Sequence, residues 1–81
     1  MTQFKEQSGI LHDAITAEAG TKIENGRLVS IEFEPVSDVT DGAPKTSVRV
    51  LKSSARLCFV QGQLFLDDTL VMTARGIFKV M

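Results

Sequence analysis

The chain has 81 residues, nine of them Lys or Arg and ten Asp or Glu, for a net charge of −1. That length allows one domain, residues 1–81, which buries only about 60% of the surface its unfolded chain exposes. With a single cysteine, Cys58, and a single histidine, His12, neither an internal disulfide nor a His/Cys metal site of the usual kind is available, so association of copies is the remaining way to supplement a small core.

Up to about residue 20 the apolar positions recur at helical spacing. Ile10, Leu11, Ala14, Ile15, Ala17 and Ala19 follow intervals of three and four, with Leu11, Ala14, Ile15 and Glu18 on one side. Ser8 suits an N-cap, because its hydroxyl accepts from an orphan amide, and Gly20 suits the left-handed residue past the helix end. The predicted helix is therefore short, about ten to twelve residues or roughly 15–18 Å.

Beyond Gly20 the period becomes two. Asn25-Gly26 marks a turn. Val29, Ile31 and Phe33 alternate with Ser30, Glu32 and Glu34 as a half-buried strand that Pro35 ends or places at an edge. Residues 37–44 read as a polar loop. Thr46, Val48 and Val50 alternate with Ser47, Arg49 and Leu51 as a second strand, and Ser53-Ser54 is a turn. Residues 56–66 and 70–81 form a long hairpin around a three-residue loop, Asp67-Asp68-Thr69. That loop pairs Leu66 with Leu70, Leu64 with Met72, Gly62 with Ala74 and Val60 with Gly76. The fold class is thus α+β: a short N-terminal helix on an antiparallel sheet of about four strands.

The predicted register gathers Gly62, Ala74 and Gly76 on one face. Small residues in strands mark close packing, either a seat for the helix or a groove for the apolar chain of a ligand. The hairpin arms reach roughly 33 Å, about twice the predicted helix. Leu57, Phe59, Phe65 and Ile77 load the opposite face as well. Apolar surface left uncovered on this scale points to an interface, so self-association through the sheet is expected, as a homodimer or a higher homo-oligomer.

Residues 55–81, ARLCFVQGQLFLDDTLVMTARGIFKVM, resemble the last two strands of hotdog-fold acyl-CoA thioesterases of the phenylacetic-acid-degradation type, with Leu70-Val71-Met72-Thr73-Ala74-Arg75-Gly76-Ile77-Phe78 matching the final strand. Residues 29–34, VSIEFE, are similar to that family's strand after the helix, and residues 9–17, GILHDAITA, to the start of its central helix. The resemblance implies a hotdog-like domain handling an acyl-CoA at a subunit interface. It implies a catalytic carboxylate on the helix, nucleophile or general base for water, for which Glu18 and Asp13 are the candidates, with His12 beside them. The acyl chain would then lie near Gly9 and the small-residue patch of Gly62, Ala74 and Gly76. The chain departs from the family where Asp13-Ala14 follows His12, since the family carries two glycines there that let a backbone amide approach the thioester oxygen. The competing expectation is a noncatalytic homo-oligomeric module that kept the sheet and lost the chemistry.

Each candidate also has a plain structural role: Glu18 as a solvated carboxylate near the helix end, Asp13 as a partner of the helix dipole, His12 as a surface or interface residue. Asp38 and Asp41-Gly42 lack the spacing of a calcium loop, and Cys58, in mid-strand, reads as a buried thiol. No cofactor or metal is expected. The scattered basic residues and the absence of Trp and Tyr argue against nucleic acid. The longest apolar run, residues 57–60, is far short of a membrane span. The opening MTQFKEQSG has no apolar signal core, so a cytoplasmic location is expected.

Overall fold

The computed structural model describes residues 4–80; residues 1–3, the start of the stretch read for a targeting signal, and residue 81 lie outside it. The elements are α1 (Phe4–Gly20), β1 (Gly26–Pro35), β2 (Pro44–Ser53), β3 (Leu57–Leu66) and β4 (Thr69–Val80). The strands form one antiparallel sheet in the order β1-β4-β3-β2, with α1 packed across one face. This is the α+β arrangement expected, and it is consistent with a hotdog-like layout. No helix among the described residues is long and apolar enough to cross a membrane.

The helix is longer than its caps suggested. It spans seventeen residues, about 25 Å at 1.5 Å per residue. Ser8 lies inside it, where its hydroxyl donates to the Lys5 carbonyl at 3.1 Å. It does not cap. The reason is the stripe that faces the sheet: Gln7, Leu11, Ile15 and Ala19 recur every four residues and are all buried, and this stripe begins before Ser8. Gly20 is not left-handed either. The helix end is tied by the Thr21 hydroxyl, which donates to the Glu18 carbonyl at 2.7 Å, and by the Lys22 and Ile23 amides, which both donate to the Ala19 carbonyl. The positive φ, 58°, falls on Asn25 in the following turn, where a short polar side chain tolerates it.

The small residues of the hairpin seat the helix. Gly62 pairs with Ala74, and Gly76 with Val60. A Cβ on Gly62 would meet Ile15 at 3.0 Å and Leu11 at 3.1 Å, and one on Gly76 would meet Ile15 at 3.0 Å. Ile15 therefore sits in a socket formed by two adjacent strands. Leu11, Ile15, Val60, Leu64, Met72 and Phe78 are the centre of a core that Leu28, Ile31, Phe33, Val48 and Val50 close from the edge strands.

The hairpin turn differs from expectation while its arms do not. The loop has two residues, so Leu66 pairs with Thr69 and Phe65 with Leu70, and Asp67 has φ 54°. One residue later the register slips, leaving Val71 without a counterpart on β3 and pairing Leu64 with Met72; the Val71 carbonyl instead accepts from the Val36 amide at 2.9 Å. A shorter loop plus one bulged residue gives the same register as the longer loop. Asp67 also closes the sheet end: its amide donates to the Ala43 carbonyl at 2.9 Å, and its carboxylate accepts from the Ala43 amide at 3.0 Å.

Both edge strands carry a similar slip. On β1 it lies between Leu28 and Ser30, and on β2 between Val50 and Lys52. Such bulges reverse the alternation. Leu28 packs inward, whereas Val29, read from the sequence as half-buried, is 59% exposed. Leu51 is likewise exposed.

Candidate functional site

The candidate catalytic residues all lie on α1, whose orientation is set by the buried stripe. At about 100° per residue, His12 and Glu18 fall about 120° apart around the axis, on opposite flanks. His12 Nδ1 and Asp13 Oδ1 are 3.2 Å apart, with side chains 46% and 87% exposed. Gly9 is exposed one turn earlier, and a Cβ there would meet nothing within 4 Å. Gly9, His12 and Asp13 thus share one solvent-facing strip. Glu18 is half-buried beside Leu11 and Ile15 on the side that carries Ala14 and Ile10.

The helix also separates the two halves of the site expected from the sequence. The strip bearing His12 and Asp13 faces away from the sheet. Gly62, Ala74 and Gly76 lie beneath the helix, and Ile15 and Leu11 fill the space above the two glycines. Within one chain, the carboxylate–imidazole pair and the small-residue patch are therefore not in contact. No three His, Cys, Asp or Glu side chains among the described residues are grouped to hold a metal ion. Cys58 is fully buried in the core.

No known protein family, curated protein or solved structure matches the chain. What it does must be read from its own surfaces.

Two further features bear on function. An open hollow lies at the C-terminal end of α1, lined by Thr16, Ala19, Ile23, Asn25, Gly26 and Phe78. The second feature is the bare face of the sheet. Four rows cross it in register, Glu34–Thr73–Gln63–Ser47, Glu32–Arg75–Gln61–Arg49, Ser30–Ile77–Phe59–Lys52 and Arg27–Lys79–Leu57, and Phe65 beside Lys45 lies beyond the first of them. Leu51, Phe59 and Ile77 line one shallow hollow there, rimmed by Ser30, Glu32 and Arg75. The apolar doublets Leu28-Val29 and Val50-Leu51 were the available signal for this face, because each places an extra apolar residue in an alternating strand.

Proposed function

We propose that this chain is a hotdog-like subunit that binds and hydrolyses an acyl thioester at an interface between copies, with Asp13 as the carboxylate that activates water or attacks the thioester and His12 as its neighbour. The observation that supports this is the contact between Asp13 and His12 on an exposed flank of a helix seated in an antiparallel sheet. A carboxylate that is 87% exposed has water on every side. It can act as a base, but it needs a second wall to hold a substrate and exclude bulk solvent. A second copy supplies that wall in this reading. Glu18, on the other flank, is the competing carboxylate.

The test is hydrolysis of a panel of acyl-CoAs by the parent chain, Asp13→Asn and Glu18→Gln. The reading expects turnover by the parent, a loss of about a hundredfold or more in Asp13→Asn, and a rate within a few fold of the parent for Glu18→Gln. The opposite order moves the role to Glu18. Equal rates in all three chains remove both assignments.

A noncatalytic homo-oligomeric module is the second reading. It is favoured by Asp13-Ala14 standing where the thioesterase pattern has two glycines, and by the helix closing down on Gly62 and Gly76. It expects a stable assembly and no turnover of any acyl-CoA in the panel.

A further inference from the structure

We propose that the sheet face turned away from α1 is a self-recognition surface, on which a second copy of this chain packs about a two-fold axis running parallel to the strands. An apolar band and the charges beside it support the same arrangement.

The band crosses all four strands at one level. Ile77 pairs with Phe59 at its centre. The bulges add Leu51 at the β2 edge and Val29 at the β1 edge, each at the level where its strand regains register beside Phe59 or Ile77. Val29 is 59%, Leu51 46% and Ile77 37% exposed. A regular strand would present one residue per level. The bulges present two, and in both edge strands the extra residue is apolar.

The charges at the middle levels are sorted by edge. On this face β1 carries Glu32 and Glu34, with Arg27 at its far end beside Lys79, and β2 carries Lys45, Arg49 and Lys52. A two-fold axis along the strands lays β1 of one copy over β2 of the other and keeps every level unchanged. Glu32 then meets Arg49 of the second copy, twice by symmetry, and the apolar bands stack on each other. An axis across the strands, through the Ile77–Phe59 level, instead sets Arg75 against Lys79 and uses only part of the face. Sheets packed face to face keep their strands aligned to within about 30°, which the first axis allows. Four strands about 4.8 Å apart and about ten residues long present roughly 600 Å², the lower end of what each partner buries in a specific complex.

The charge pairs give a test that separates contacts between chains from those within one. Glu32 and Arg49 lie three strand spacings apart in a chain, about 14 Å, which exceeds the screening length at physiological salt, about 8 Å. Sedimentation equilibrium of the full chain is expected to show a dimer. Ile77→Lys is expected to weaken it by about tenfold or more. Glu32→Lys and Arg49→Glu are each expected to weaken it by about fivefold, and to restore it to within about twofold of the parent when combined in one chain. Thermal melts by circular dichroism report whether each variant is folded. A dimer indifferent to Ile77→Lys is assembled through strand edges or the helix side, and overturns the proposal. So does a parent chain that stays monomeric at 100 times micromolar concentration, on the order of 10⁻⁴ M, which is weaker than specific interfaces of this size. A charge-reversed pair as weak as its single variants overturns the orientation of the axis. The proposal does not rest on the acyl-thioester reading: Asp13 lies on the other side of the molecule, so the wall which that reading needs would be a separate, helix-side contact between copies, and turnover is measured separately.

Discussion

Ile15 shows how much a single position decides. Its side chain is fully buried and touches the space above both Gly62 and Gly76. Each glycine provides room that any other residue would fill. Gly62→Val adds branched carbon directly under Ile15 and Leu11, and is expected to lower stability by about 1–3 kcal/mol, read as a lower urea midpoint with unchanged slope. An unchanged midpoint would mean that α1 lifts off the sheet without cost. This seat was legible in the sequence, since the strand period alone brought Gly62, Ala74 and Gly76 together. Val29 was not. Strict alternation with Ile31 and Phe33 assigned it to the core, and the bulge that turns it outward is a backbone event with only the doublet Leu28-Val29 to announce it.

The same contrast separates the helix from the hairpin. The middle of the hairpin was readable because Leu64 facing Met72, Gly62 facing Ala74 and Val60 facing Gly76 follow from period two. Its turn was not, because a two-residue loop with a bulge and a three-residue loop are equivalent a few residues away. For the helix, a local capping signal at Ser8 competed with a tertiary one, the four-residue stripe starting at Gln7. The buried stripe prevailed. Ser8→Ala tests this by its sign. As an interior residue, Ser8 replaced by the better helix former should stabilise by about 0.3–0.5 kcal/mol, raising the melting midpoint by about 1–4 °C. Loss of a cap would instead cost about 1 kcal/mol.

At the level of the whole molecule, the relative placement of the candidate residues was the least legible part. Helical spacing placed His12, Asp13 and Glu18 on one helix, and the structure divides them between its flanks. Which flank faces the sheet depends on Leu11 and Ile15 meeting Gly62 and Gly76 in strands far along the chain, and no local pattern carries that. The molecule has two layers, a helix and a sheet. The helix covers one face of the sheet, and the other stays bare. Its centre is polar where Gln61, Gln63, Thr73 and Arg75 lie, and apolar at one end where Leu51, Phe59 and Ile77 meet. In the proposed dimer, a second copy of the chain shelters that end from water.

Analytical ultracentrifugation of the unmodified chain from about 1 to 100 μM, the range over which an interface of this size holds, measures this most directly. The account predicts a species of twice the chain mass whose melting temperature rises with concentration. A single species of the chain mass, melting cooperatively at the same temperature throughout, would contradict it.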